Sequence, residues 1–419
     1  MIFLKRASSI GFYSDVKATE LEFSKNVVMF TGYNGSGKTS FLVGMYSTLN
    51  NLHRKKKDLD IKELIGNRSW SFEVQVDESD FYEKNKEELA KLYIPKQNLN
   101  IKIRYIILSD GNTGAINQEK LGNYVSSDPL SKGVAESFID FKKKIYKEQK
   151  SVNHNLYSLP NNENENIEVN MMGLNFINRS QPITNILEKY RDEIKDDSNF
   201  LSTVLFINEK IYHTTKNDIE NLEIFSKGNN LDKSTYLLLN ELSKEILTTK
   251  VDYKDVIEKA FLEKDNNINS IKEQVLKLLN KNTFSEEVYN LISQLNKFFN
   301  LTGKEVHISD DGFIFFKEGK NKNKNKNKNI HWYHCSKGEK NLLCLILLAY
   351  LNRNNQTIFI LDEPDLSMHI EWQEILIPTL IEICPNNQYF ISTHSPALIP
   401  DYRENIQFID MSKIKEESI

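Results

Sequence analysis

Eight residues constrain this chain more than any others: Gly32-Tyr33-Asn34-Gly35-Ser36-Gly37-Lys38-Thr39, which satisfy every fixed position of GxxxxGK[ST]. Their setting matters as much as their identity. An apolar run, Val27 to Thr31, precedes them, and Ser40 to Leu52 follows with helix-compatible spacing at Phe41, Leu42, Met45 and Leu49. In a strand–loop–helix of this kind the glycines let backbone N–H groups curl around phosphate oxygens at a helix N-terminus, where partial positive charge gathers. Asn34, Gly35, Ser36, Gly37, Lys38, Thr39 and Ser40 therefore read as a nucleotide phosphate cradle. Lys38 is placed to reach the β- and γ-phosphates, and the Thr39 hydroxyl to join a Mg²⁺ shell.

The length, 419 residues, leaves room for one large α/β domain with insertions or for two to three modest domains. A formal charge of −4 shows no global excess of positive charge for nucleic acid, although a local basic groove stays open. With 39% hydrophobic residues the chain can build a core, which excludes a wholly disordered polypeptide. No apolar run approaches the roughly 18 residues of a membrane span, and the first residues lack the apolar stretch of a secretory signal. Cys335, Cys344 and Cys384 form neither a CxxC pair nor a disulfide framework. The expectation is a soluble, cytoplasmic protein with no membrane association.

Along the chain, Ile2 to Lys5, Leu21 to Phe23, Trp70 to Val76 and Leu99 to Leu108 read as strands. From Ile183 to Phe299 the pattern reads as helical, as at Ile271, Val275, Leu278 and Leu279, without a sustained heptad seam. Val306 to Ser309 and Phe313 to Phe316 flank Asp310-Asp311-Gly312 as a hairpin. Helix and strand then alternate: Asn341 to Leu351, Thr357 to Leu361, Trp372 to Ile383, Tyr389 to Ser392. Short, fully apolar strands between helices point to a buried parallel sheet. The Asn/Lys run from Lys320 to Asn329 reads as a solvated loop tip, and Arg54-Lys55-Lys56-Lys57 as a solvated helix end.

A second constellation lies far downstream. Ile358-Phe359-Ile360-Leu361-Asp362-Glu363 is a buried strand ending in two acids, which places both carboxylates at the sheet edge that carries the phosphate loop. Asp362 would hold Mg²⁺, usually through water, and Glu363 would polarise an attacking water. His394, at the end of the next apolar strand, is placed to reach the γ-phosphate or that water. His331 and His334 flank Trp332-Tyr333 in an apparent strand and carry no metal reading.

Three further segments narrow the class. Cys335-Ser336-Lys337-Gly338-Glu339-Lys340 resembles the signature sequence of ABC-type ATPases, in the SxGE form of the SMC, RecF and OLD-like branch. Pro364-Asp365-Leu366-Ser367-Met368-His369 resembles that branch's D-loop, and Ile391-Ser392-Thr393-His394-Ser395-Pro396 its switch-histidine segment. The resemblance covers roughly residues 1–50 and 330–400. It implies an α/β fold: a P-loop ABC-type ATPase head, a mixed sheet with an N-terminal antiparallel part and a parallel core, carrying a mainly helical insertion. The expected division is 1–115 and 303–419 for the two parts of the head and 116–302 for the insertion. The implied ligands are ATP and Mg²⁺. Ser336, Gly338 and Glu339 would form a second anion-binding helix start, serving the nucleotide of a second subunit, so that two ATP molecules lie between two heads. Gln181 is the candidate for the family's Q-loop glutamine, ahead of Gln75. The chain departs from the family pattern at Cys335, where Leu is usual, and at Lys337, where Gly or Ser is.

Without sustained heptads a chromosome-condensing SMC is disfavoured, and no Toprim or other nuclease cluster is apparent. The chain is similar to the stand-alone ATPases of bacterial anti-phage systems such as Septu, PARIS and ATPase-containing retrons. That resemblance implies a homo-oligomer, a head-to-head dimer or higher, that senses infection or controls a separately encoded effector, a nuclease in the leading reading. A RecF- or SMC-like head acting on DNA is the alternative, and nucleic acid stays open as a ligand.

Overall fold

The structure is a computed structural model, described here for residues 2–10, 12–13, 19–51, 69–76, 82, 86–91, 102–107, 157–158, 167–172, 202–207, 210–214, 231–249, 285–309, 312–318, 329–399 and 403–418. The chain divides into two units, the first comprising Met1–Asn229, Asn355–Asp365 and Asn386–Ile419, the second Asn230–Asn354 and Leu366–Pro385. The first opens with β1 (Ile2–Ile10), β2 (Thr19–Glu22), β3 (Val27–Thr31) and α1 (Lys38–Asn51). It continues with β4 (Ser69–Val76), α2 (Lys86–Lys91), β5 (Lys102–Ile107), β6 (Tyr157–Ser158), β7 (Ile167–Met172), β8 (Ser202–Ile207) and β9 (Lys210–Thr214). The second unit holds α3 (Leu231–Thr249), α4 (Glu286–Phe299), β10 (Lys304–Ile308), β11 (Ile314–Glu318), β12 (Asn329–His331) and α5 (Lys337–Leu351). β13 (Thr357–Asp362) belongs to the first unit, α6 (Ile370–Ile383) to the second, and β14 (Gln388–Ser392), β15 (Ile406–Asp410) and α7 (Met411–Ser418) again to the first.

The apolar runs beside the phosphate loop and the paired acids meet in one sheet of order β15-β3-β14-β13-β8-β9. All its pairs are parallel except β8–β9. The pairing of β3 with β14, and of β14 with β13, brings the ends of three strands to one edge, where Thr31, Asp362 and Ser392 terminate them. A second sheet, β2-β1-β4-β5-β7-β6, is antiparallel throughout. The fold is thus α/β with a mixed set of sheets, an antiparallel N-terminal part and a parallel core.

Between the sheets runs α1, whose Phe41, Leu42, Met45 and Leu49 are all fully buried. Trp70 and Phe72 of β4 stack 5.8 Å apart, and the Trp70 ring meets Phe41 edge-on. Trp70 lies so close to α1 that a Cβ at Gly44 would overlap its ring. A bulge in β1 at Leu4/Arg6 breaks the ladder, and Gln388 repairs it: its Oε1 accepts from the Leu4 N–H at 2.9 Å and its Nε2 donates to the Leu4 carbonyl at 3.1 Å.

In the second unit, the hairpin forms with Val306 opposite Phe316, and Gly312 (φ 81°) makes the turn. α5 is buried along nearly its whole length, as its near-continuous apolar run Leu342–Tyr350 requires. Trp372 of α6 donates through Nε1 to the Phe298 carbonyl at 3.0 Å and packs on Phe299.

Two expectations are corrected. The segment from Ile183 does not stay helical, since Ser202–Ile207 and Lys210–Thr214 are strands and β8 is a core neighbour of β13. The four-residue apolar run Val204–Ile207 carries no period of its own, and its pairing with β13 decides its form. Trp332–His334 is a single 3₁₀ turn rather than strand, with Trp332 buried beneath it. Gln181, Ile271 to Leu279, Arg54 to Lys57 and residues 320–328 lie outside the described residues.

Candidate active site

The phosphate loop joins β3 to α1 as its motif demands. Gly35 and Gly37 adopt φ of 82° and 91°, a left-handed backbone that residues with a Cβ rarely enter. Lys38 is 6% exposed and its Nζ donates to the carbonyls of Gly32 (2.9 Å) and Tyr33 (3.2 Å). Burial lowers its pKa from the ordinary lysine value, opposed by the charges of Glu363 and Asp362.

At the end of β13, Asp362 is 5% exposed and faces the loop. The Thr39 hydroxyl stands 3.0 Å from both Asp362 oxygens, and the Ser392 hydroxyl donates to Asp362 Oδ1. The main chain then turns sharply: Glu363 has φ 48°, a strained conformation for a non-glycine residue, and its N–H donates to the Ser392 carbonyl at 2.9 Å. The turn lifts its side chain out of the sheet. Glu363 is 37% exposed, with Oε1 3.9 Å from His394 Nε2. One residue before that histidine, the Thr393 hydroxyl donates to Asp365 at 2.8 Å, which pins the start of the Pro364–His369 segment. The first unit therefore brings together Lys38, Thr39, Asp362, Glu363 and His394, drawn from segments more than 300 residues apart in sequence.

These residues fit a nucleotide with a divalent cation. A hydroxyl and a carboxylate in mutual contact are hard oxygen donors of the kind Mg²⁺ takes beside phosphate oxygens, and the loop conformation is one that glycine alone reaches freely. Among the described residues no group of three or more His, Cys, Asp or Glu side chains could hold a metal by itself. That includes His331 and His334.

The signature segment lies in the second unit. Ser336 caps α5 in a capping box: the Glu339 N–H reaches Ser336 Oγ at 3.3 Å, and the Ser336 N–H donates to Glu339 Oε2 at 2.7 Å. Glu339 is buried and also meets Lys304 Nζ at 2.5 Å. Ser336 and Lys337 are exposed, and two amide groups at the start of α5 are satisfied within the chain. Gly338 has a local reason too. A Cβ there would overlap the carbonyl oxygen of Ser367, whose own φ is 65°. Asn341 Nδ2 donates to the Leu366 carbonyl at 3.1 Å, tying α5 to the same turn. Gly338→Ala should therefore displace this turn and destabilise the protein by roughly 1–3 kcal/mol, the usual cost of overpacking. Chemical denaturation checks this, and an unchanged midpoint would contradict the close approach. Cys335 is buried beside Glu339, and its thiol pKa is pushed up to about 12, chiefly by burial.

Sequence reasoning missed the C-terminal elements. β15 adds a parallel strand beside β3, and α7 packs next to the phosphate loop. The only signal for them was the short run Ile406 to Ile409.

A glycine-rich loop between a strand and a helix, with a strand-end acid pair facing it, defines a P-loop ATPase domain. The AAA ATPase domain matches residues 13–399, and the chain belongs to that family. It is similar to the retron Vc95 probable ATPase of Vibrio cholerae serotype O1 biovar El Tor, 28% identical over 37% of this chain and 30% of that protein. It is also similar to the retron Ec83 probable ATPase of Escherichia coli, 28% identical over 38% of this chain and 32% of that one. RecF, the DNA replication and repair protein of Clostridium kluyveri, is 32% identical over 27% of this chain and 26% of its own. The matched segments thus span about a third or less of these relatives. Among solved structures, an Smc head bound to the C-terminal winged-helix domain of ScpA overlaps 94% of this chain and 91% of its own, with 13% identity and a TM-score of 0.40. Among the described residues no helix is long and apolar enough to cross a membrane.

Proposed function

We propose that this protein binds and hydrolyses ATP with Mg²⁺, pairs head to head around two ATP molecules, and controls a separately encoded effector, a nuclease, in bacterial anti-phage defence. The observation that carries the chemistry is the Thr39–Asp362 contact, 3.0 Å to each oxygen, with Glu363 turned outward beside it. Lys38 and the loop N–H groups would hold the β- and γ-phosphates. Thr39 and Asp362 would hold the cation, Asp362 through water; when bound, the cation neutralises phosphate charge. Glu363 accepts a proton from the attacking water as its oxygen bonds to the γ-phosphorus and the bond to the β–γ bridging oxygen breaks, leaving ADP and inorganic phosphate. His394, beside Glu363, orients the water or contacts the γ-phosphate. Ser336, Gly338 and Glu339 shape the surface offered to the partner's nucleotide, and Gln181 is proposed as the Q-loop residue.

The likeness to two retron ATPases supports the defence reading. The RecF likeness favours a second one, a DNA-repair head acting on DNA directly. Removing the Lys38 ammonium takes away a charge-assisted phosphate contact, so Lys38→Ala should weaken ATP binding at least about tenfold. Equilibrium titration with a fluorescent ATP analogue measures it, and unchanged affinity would remove Lys38 from the site. For the biological role, the protein should protect a bacterial host from phage when expressed with its neighbouring genes, and Lys38→Ala should abolish protection. Protection that survives this change would defeat the defence reading; ATPase activity stimulated by DNA ends without any partner would favour the repair reading.

A further inference from the structure

The family match ends at residue 399, yet α7, beyond that limit, is folded onto the phosphate loop. α7 plants Met411, fully buried, and Ile414 against the core of the first unit. This leaves Ser412 and Lys415, also three apart, on a side that meets the loop. Ser412 Oγ accepts the Tyr33 N–H at 3.0 Å. Lys415 Nζ donates to the Gly35 carbonyl at 3.1 Å and lies 5.7 Å from the centroid of the Tyr33 ring. Tyr13 grips the loop as well: its hydroxyl donates to the Ser36 carbonyl and stands 3.4 Å from the Met411 carbonyl. Space for this clasp exists because Gly32, at φ 127°, has no Cβ; one there would overlap Ser412 Oγ.

The hydrogen bonds that reach the loop fall on the Tyr33 N–H or on the carbonyls of Gly35 and Ser36. None uses the amides that the motif devotes to phosphate. The clasp can therefore order the loop without competing for the ligand. A loop that is already ordered binds without a further ordering cost, and one that is not has its affinity scaled down by the fraction of time it spends in the competent conformation.

We propose that α7 is a positioning element of the nucleotide site, in which Ser412 and Lys415 hold the outer half of the phosphate loop in its binding conformation and so set nucleotide affinity. This rests on reading that loop as the ATP site. Two measurements separate the clasp from that reading. Without nucleotide, amide hydrogen exchange of a peptide covering residues 32–38 should speed up about tenfold in the double variant Ser412→Ala/Lys415→Ala, corresponding to loss of about two hydrogen bonds. With ATP, the same variant should raise KM about five- to thirtyfold and leave kcat at saturating ATP within about twofold. Lys415→Arg keeps both charge and donor and should restore most of the affinity. Unchanged exchange would overturn the clasp. Faster exchange with unchanged KM would overturn its role in affinity, as would a fall in kcat at constant KM. If the wild-type protein failed to bind ATP, the ATP reading would fail, and the nucleotide-free exchange would still decide the clasp.

Discussion

Glu363→Gln should bind ATP with affinity within about threefold of wild type and turn it over about 10² to 10⁴ times more slowly, the range expected when a general base is lost. That range corresponds to about 2.7–5.5 kcal/mol of barrier. Of the two acids at the end of β13, only Glu363 is free for this role. Asp362 is almost fully buried, and its oxygens are engaged by Thr39 and Ser392. Glu363 is turned out by its left-handed backbone, more than a third exposed, with His394 beside it. The amide of glutamine is isosteric and leaves the Glu363 N–H bond to Ser392 untouched, so the loop and Asp362 should stay in place. Single-turnover hydrolysis alongside equilibrium ATP binding makes the measurement. Equal turnover in the two proteins would take the base assignment away from Glu363; lost binding would mean that it holds the nucleotide instead.

Ser336→Arg should abolish the proposed ATP-driven pairing, the second large expected effect. Ser336 and Lys337 are exposed at the start of α5, and α5 directs its partial positive end toward solvent there. Two heads related by a two-fold axis would each present this end to the other's γ-phosphate. The capping box sets the control. Ser336→Ala removes the cap, at about 1 kcal/mol, without adding bulk, whereas Ser336→Thr keeps a capping hydroxyl. Arg adds a long side chain at the proposed contact and should block pairing while each phosphate loop still binds ATP. In a Glu363→Gln background, which retains ATP, a cysteine introduced by Lys337→Cys should cross-link between subunits only with ATP and Mg²⁺. The native thiols should stay silent, because Cys335 and Cys344 have pKa values pushed up to about 12 and Cys384 is fully buried. Cross-links that form equally without ATP, or persist in Ser336→Arg, would end the sandwich arrangement.

Wherever a local pattern dictates form, the residues can be read directly. The phosphate loop, its flanking strand and helix, the acid pair at the end of β13 and the hairpin around Gly312 all emerge where spacing, turn chemistry and apolar runs agree. Each is decided by residues within about a dozen positions of itself. The placement of β8 was not legible, because it rests on the short apolar run Val204–Ile207, which becomes a strand by pairing with β13. Gly338 is opaque for a related reason. Its glycine is required by the Ser367 carbonyl, which arrives from a turn that only packing brings there. Above all, nothing near the phosphate loop in sequence announces that Ser412 and Lys415, at the far end of the chain, hold it. Which residues can touch a phosphate is written in the order of the amino acids, since backbone geometry and side-chain chemistry are local properties. Which distant residues hold those groups in place is settled only by the folded core, since contacts across the chain depend on where packing sets its elements down.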